Sequence, residues 1–201
     1  MSTWTAGSPT SPARWFWTCF APTPAGRAAL LRQARIGEVE SEFRAQIDAV
    51  ADAGLTPTHL DFHCLADGGR ADILELTTAL AAEYGLAVRV WQEPGRRAAR
   101  RRGLPVVDND FLDSFSLDTE GKTDRCLQLL RDLPTGLTEW AVHPSIADQA
   151  SRAVDDGWLV RRTDYDFLMS PQAHEVLRQE DIVVIDYLPL QRAWTRITSS
   201  S

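Results

Sequence analysis

The chain has 201 residues, a formal net charge of −7 and 44% hydrophobic residues, a composition typical of one globular domain with a buried core. No apolar stretch is long enough to span a membrane. The surplus of acidic residues argues against nucleic acid as a partner, because proteins that bind nucleic acid normally carry a basic surplus. Lys122 is the only lysine among 21 basic residues, which we attribute to the base composition of the genome.

The cysteines indicate the cellular compartment, and the composition of the chain ends indicates the limits of the domain. Cys19, Cys64 and Cys126 lie far apart and lack Cys-x-x-Cys spacing, so we expect neither a disulfide framework nor a zinc ribbon, and we expect a cytoplasmic protein. Residues 1–27 are rich in Pro, Ser and Trp and predict an irregular leader. We assign residues 28–195 to an α/β domain and residues 196–201 to a disordered tail.

Helical and strand patterns alternate through the body. Predicted helices end at Gly54 and Gly85, a third covers residues 119–133, and a fourth begins at Ser170-Pro171, a cap followed by a first-turn proline. Predicted strands occupy residues 58–63, 86–91, 138–144 and the apolar run 182–187, which is typical of a strand buried on both faces. The alternation predicts an α/β fold with a largely parallel sheet.

Five arginines between residues 95 and 103 form a basic cluster. They predict either a contact with an anion or polysaccharide, or a solvated helix face in an acidic protein, and we favour the solvated face.

The densest group of chemically active residues is His59, Asp61 and His63. Side chains alternate along a strand, so these three share one face and could bind a divalent cation. The alternative, equally supported by the spacing, is a hydrogen bond between His59 and Asp61 with His63 ending the strand. His143 precedes Pro144 at another predicted strand end, the edge where parallel sheets place active sites, and could act as a general acid.

Other polar residues carry weaker signals. His174 is predicted to lie on a helix surface, and nothing in the spacing selects Asp148, Asp164 or Asp166 as site residues. No Gly-rich phosphate loop or G-x-S-x-G motif occurs.

Residues 57–70, PTHLDFHCLADGGR, resemble the P-T-H-L-D-x-H signature of the YdjC/ChbG-type carbohydrate deacetylases. Residues 140–144 resemble the family's His-Pro signature, and residues 182–187 resemble its last strand. The resemblance covers residues 28–194. It implies an incomplete or distorted (β/α) barrel and a metal-dependent hydrolase, using Mg²⁺ or Zn²⁺, that removes acetyl groups from N-acetylated sugars.

The resemblance also implies site residues. His63 would be a metal ligand, His143 would line the site, and Asp61 would orient it, while His59 could substitute as a second ligand. The sequence holds no N-A-D-D-F-G motif and no histidine before His59, which carry the family's other ligands. We therefore expect a truncated or diverged member with weak or no activity, since catalytic zinc sites use about three protein ligands.

Two alternatives remain open. The chain could be a non-catalytic remnant that binds sugar or pairs with another chain, and a homodimer could cover an exposed sheet edge. A phosphoesterase or amidohydrolase-type metal enzyme sharing only the H-x-D-x-H strand is the third interpretation.

Overall fold

A computed structural model describes residues 24–62 and 69–199. The predicted leader, apart from residues 24–27, therefore lies outside the described residues, as do His63, Cys19 and Cys64. In chain order the elements are α1 (Pro24–Gln33), α2 (Ile36–Asp52), β1 (His59–Leu60), α3 (Ala71–Tyr84), β2 (Ala87–Val88), α4 (Glu93–Arg101), β3 (Leu112–Asp113), a 3-10 turn (Ser114–Ser116), α5 (Lys122–Arg131), β4 (Trp140–Ala141), α6 (Gln149–Val154), α7 (Trp158–Leu168), α8 (Pro171–Gln179) and α9 (Leu188–Thr198).

The chain divides into two compact units. The first contains the residues up to Val90 together with those from Tyr187 onward, and the second contains Trp91–Asp186. Each unit holds one parallel strand pair joined by a helix: β1 pairs with β2 around α3, and β3 pairs with β4 around α5. The α/β class and the parallel pairing are confirmed. The barrel stays a prediction, because the described strands form two separate two-stranded sheets.

The core of the first unit forms where α3 and α9 pack around β2. Leu80, Val88 and Trp194 are each 1% exposed. The Gln191 amide also donates to the carbonyl of Gly85, at 2.8 Å, and ties α9 to the end of α3. Helix α9 extends as far as Thr198, so it includes residues 196–198 of the predicted tail, while residues 200–201 lie outside the described residues and the domain limits stay a prediction.

The other predicted domain limit also stays a prediction, because residues 1–23 lie outside the described residues. Helix α1 begins at Pro24, inside the predicted leader 1–27. Proline is favoured in the first turn of a helix, because its fixed φ suits the helix and its missing N–H would have no partner there.

The core of the second unit lies between α5, α7 and α8. It contains the buried residues Cys126, Leu127, Leu130, Phe167, Ala173 and Val176. Ser170 caps α8 by accepting a hydrogen bond from the Ala173 N–H at 3.1 Å, and Pro171 follows in the first turn, as the sequence predicts.

Gly-Leu pairs end three of the helices. Gly85 has φ of 68°, a left-handed conformation that glycine adopts at little cost, and the Leu86 N–H returns to the carbonyl of Ala81 at 2.7 Å. The same bond ends α2 at Gly54-Leu55 and α4 at Gly103-Leu104. This local signal explains why the helix ends at Gly54 and Gly85 are predicted correctly.

The predicted strand at residues 182–187 is wrong. Asp181 adopts φ of 53°, and the Ile182 N–H donates to the Leu177 carbonyl at 2.8 Å, so Ile182 completes the cap of α8. Val183 and Val184 are 77% and 74% exposed. None of the described strands includes residues 182–187.

None of the described helices combines the length and the apolar character that crossing a membrane requires.

Candidate functional site

Strand β1 carries His59 in the first unit. The His59 ring stacks on the ring of Tyr187, with centroids 3.9 Å apart and an interplanar angle of 18°. Its Nδ1 lies 3.0 Å from the hydroxyl of Thr58. Stacking and hydrogen bonding hold the imidazole in one orientation, and Tyr187 is a contact that the sequence does not reveal because it comes from the far end of the chain.

Asp61 follows β1 and forms an ion pair across the sheet. Its Oδ1 accepts a hydrogen bond from Arg89 Nη1 at 2.9 Å, and the Arg89 N–H donates to the Leu60 carbonyl at 2.9 Å. The pairing of β1 with β2 sets this register and brings the two charges together. The partner of Asp61 is therefore Arg89, through a charge-assisted hydrogen bond, and not His59 as one of the two interpretations of the spacing proposed.

A pocket of about 200 Å³ opens between α2 and β1 in the same unit. His59 and Asp61 contribute to its wall, and most of the remaining lining is apolar, including Phe43, Ile47 and Leu60.

The residues expected to hold a metal are only partly covered by the structure. His63 lies outside the described residues. Among the residues that are described, no three His, Cys, Asp or Glu side chains come together as metal ligands. His59 and Asp61 alone do not fit a catalytic metal, which takes about three protein ligands, and Asp61 already pairs with Arg89.

His143 lies in the second unit, two residues beyond β4. Its backbone N–H donates to Asp164 Oδ2 at 2.8 Å, and its ring Nδ1 lies 3.3 Å from the hydroxyl oxygen of Ser114. The Ser114 hydroxyl in turn donates to the same Asp164 oxygen at 2.6 Å. Asp164 therefore holds the backbone of His143 directly and its ring through Ser114.

Asp164 is buried beside the only lysine of the chain. Lys122 Nζ lies 2.6 Å from Asp164 Oδ1, and each side chain is 1% exposed. Ser114 is also fully buried. A buried carboxylate requires this compensation, because an isolated charge taken out of water costs several kcal/mol. We call His143, Ser114, Asp164 and Lys122 the His143 network.

Aromatic and charged groups surround the ring of His143. The ring of Phe115 meets it edge to face, with centroids 4.7 Å apart, and the Arg161 guanidinium lies 5.5 Å from the centre of the Phe115 ring. Arg161 is also paired with Asp155. The hydrogen bond from the Gly157 N–H and the bond to Arg161 together lower the pKa of Asp155, so this carboxylate stays charged and keeps Arg161 in place.

The sequence identifies part of this arrangement. His59 and Asp61 belong to the first unit and His143 to the second, so a single shared site stays a prediction. The sequence does not identify Ser114 or Lys122 as site residues, and its spacing gives no reason to select Asp164. The signal that could have found the pair is the single lysine in an arginine-rich chain.

Two arginines of the basic cluster have a structural role and do not belong to a solvated face. Arg96 is 3% exposed and its Nη2 lies 2.5 Å from Asp110 Oδ1, while Arg100 donates to the Val107 carbonyl at 2.8 Å. These two arginines hold the loop before β3, whereas Arg97, Arg101 and Arg102 are exposed as expected of a solvated face.

A family model described as "YdjC-like protein" matches residues 6–179 of this chain. The chain belongs to the YdjC-like family. The match confirms the resemblance carried by the PTHLDFH and His-Pro segments, and it begins inside the predicted leader, earlier than residue 28. The sequence signatures therefore identify the family, while underestimating how much of the N-terminal region belongs to it.

Curated relatives share one description. A carbohydrate deacetylase of Thermus thermophilus is 33% identical over an alignment of 168 positions that covers 78% of this chain and 61% of that protein. A carbohydrate deacetylase of Geobacillus stearothermophilus is 34% identical over 61% of this chain and 47% of its own length. The YdjC-like chain thus spans about three fifths of the length of the first relative and half of the second.

A solved structure shows the same fold. The crystal structure described as that of a cellobiose-phosphate cleavage protein of Enterococcus faecalis superposes with a TM-score of 0.65 at 22% identity, covering 84% of this chain and 67% of that one. At this identity the likeness supports the α/β fold alone.

Proposed function

We propose that this chain is a carbohydrate deacetylase that hydrolyses the acetamide of N-acetylated sugars, with His143 as its general acid. The observation that supports the proposal most directly is the buried His143 network, found in a YdjC-like chain whose curated relatives are named carbohydrate deacetylases. The His143 ring is held at Nδ1 by the buried Ser114 and is contacted edge to face by Phe115, and this orientation suits a residue that transfers a proton.

The proposed role of His143 follows from the reaction. Water adds to the acetyl carbon, the C–N bond breaks, and the sugar nitrogen leaves as an amine. An amine leaves only after gaining a proton, and an imidazolium is the side chain best suited to deliver one near neutral pH. Acetate and the amino sugar are the products.

We also propose that activity depends on a divalent cation, Zn²⁺ or Mg²⁺, with His63 and His59 as ligands. This part rests on the family resemblance, because the described residues alone do not make a metal site.

Acetate release tests the proposal. The purified chain is treated with a chelator, supplied with Zn²⁺ or Mg²⁺, and incubated with N-acetylglucosamine oligomers, while a phosphate ester is assayed in parallel. Metal-dependent release of acetate supports the proposal. Hydrolysis of the phosphate ester without acetate release overturns it in favour of a phosphoesterase.

The alternative is a non-catalytic sugar-binding protein. Two observations favour it: the Asp61 carboxylate is already paired with Arg89, and the His59 ring is stacked on Tyr187. Binding of N-acetylglucosamine oligomers, measured by calorimetry, without acetate release at any metal concentration would establish this alternative.

We further propose a cytoplasmic protein that forms a homodimer. Support for the dimer comes from Val183, Val184 and Ile185, an exposed apolar run of the second unit that a second copy could cover.

A further inference from the structure

We propose that Ser114 and Asp164 are positioning residues that keep the ring proton of His143 on Nδ1, so that Nε2 is the nitrogen that gains and loses the catalytic proton. This inference rests on the proposed function, in which His143 supplies a proton to the leaving amine. The tautomer itself is a property of the folded chain and can be measured without any turnover.

The direction of the hydrogen bonds fixes the tautomer. A serine hydroxyl has a single hydrogen, and Ser114 Oγ lies 2.6 Å from Asp164 Oδ2 but 3.3 Å from His143 Nδ1. An ionised carboxylate only accepts, so the Ser114 hydrogen points to Asp164. The Ser114 oxygen can then only accept a hydrogen bond from the ring. His143 Nδ1 must therefore carry the ring proton and donate that bond.

Lys122 pairs with the carboxylate of Asp164 and holds it in place. The ammonium lies 2.6 Å from the carboxylate, and neither side chain reaches solvent to any extent. Asp164 Oδ2 accepts from both the Ser114 hydroxyl and the His143 backbone N–H, so one oxygen fixes the position of the residue and the direction of its ring.

The residue types match this task. Lys122 is the single lysine beside 20 arginines, of which Arg96 is also buried. Its compact ammonium meets the Asp164 carboxylate at 2.6 Å and the Val160 carbonyl at 3.4 Å, whereas a guanidinium is larger and brings five N–H groups that need acceptors.

The arrangement also favours the charged ring. When Nε2 takes up a proton, the Nδ1 hydrogen remains bonded to the Ser114 oxygen, the negative end of a hydroxyl polarised by Asp164. The cation is thereby stabilised until Nε2 releases its proton to the leaving nitrogen. In a Ser-His-Asp triad the carboxylate bonds directly to the Nδ1–H of the histidine. In this chain the Ser114 hydroxyl lies between the carboxylate and the ring.

Nitrogen NMR of the full chain with labelled histidine rings tests the inference, at a pH where the rings are neutral. In the wild type we expect His143 Nδ1 to show the shift of a protonated nitrogen and Nε2 that of an unprotonated one. In Ser114→Ala we expect the signals to move toward the Nε2-protonated form. The exposed His174 should keep its signals and report that the variant is folded.

Ser116→Ala is the matched control, because Ser116 is an exposed serine of the same turn that bonds the Asp113 carbonyl. It should leave the His143 signals unchanged. A wild-type ring protonated on Nε2 overturns the inference, and so does a Ser114→Ala ring that keeps the proton on Nδ1. Neither result depends on deacetylation, so failure of the inference and failure of the proposed function remain distinguishable.

Discussion

Lys122 Nζ lies 2.6 Å from Asp164 Oδ1 in the interior of the second unit. The pair joins α5 to α7 and lies directly behind the backbone of His143. Its loss would therefore affect the stability of the second unit as well as the position of the proposed general acid.

Lys122→Met should lower the free energy of unfolding by about 3–5 kcal/mol, because it leaves a buried carboxylate without its counter-charge. Urea unfolding followed by tryptophan fluorescence measures the change. Arg131→Met is the control on the same helix, since Arg131 is exposed, and it should change stability by less than about 0.5 kcal/mol. Equal effects of the two substitutions would contradict the assigned role of Lys122.

Cys126 should be inert toward thiol reagents in the folded protein. Burial raises the pKa of its thiol to about 11, with the charge of Lys122 acting in the opposite direction. At pH 8 the thiol is therefore protonated, and the thiolate is the reactive form. Alkylation with iodoacetamide, followed by peptide mass spectrometry, should modify Cys126 only after unfolding; rapid modification of the native chain would be inconsistent with this burial.

The same shift predicts a loss of stability at alkaline pH. The folded pKa lies above the unfolded value, so the contribution of Cys126 is complete below about pH 9 and falls as the pH rises toward 11. The free energy of unfolding, measured between these pH values, should decline more steeply for the wild type than for Cys126→Val. Parallel curves would show that this thiol stays protonated equally in both states.

Gly85→Ala should destabilise the first unit by about 1 kcal/mol, because alanine strains at a positive φ. Gly37→Ala, in the first turn of α2 with open space around it, is the matched control and should be neutral or stabilise by about 0.5 kcal/mol. Thermal unfolding compares the two variants. If both shift the transition in the same direction, the left-handed conformation of Gly85 is not what ends α3.

The proposed homodimer should depend on the apolar run 183–185. Size-exclusion chromatography with light scattering should give a dimer for the wild type, and Val183→Asp should shift it toward the monomer. Val154→Asp is the control, because Val154 is an isolated valine at the end of α6 that is 85% exposed. A wild type that is monomeric at every concentration would refute the dimer.

Local chemistry is what the sequence predicts well. The helix end at Gly85 and the Ser170-Pro171 helix start each depend on a few neighbouring residues, and both are confirmed. The run 182–187 is mistaken for a strand because an apolar stretch has the same pattern whether it pairs in a sheet or, as here, begins as the cap of a helix at Ile182. Only the backbone geometry at Asp181 distinguishes the two.

Non-local pairing is what the sequence leaves open. The bond from Ser114 to Asp164 and the stacking of His59 on Tyr187 join residues that are distant in the chain, and no periodicity records them. His143 is predicted as a site residue because it lies at a strand end, whereas its supporting residues become visible only once α5 and α7 pack together.

The most direct test of the account is acetate release from N-acetylglucosamine oligomers by the wild type and by His143→Gln, with His174→Gln as control. General acid catalysis contributes about 10²–10⁴-fold to a rate. The rate of acetate release by His143→Gln should therefore be at least about 10²-fold lower than that of the wild type, while His174→Gln should have the wild-type rate. Equal rates of acetate release for wild type and His143→Gln would contradict the assignment of His143 as the general acid.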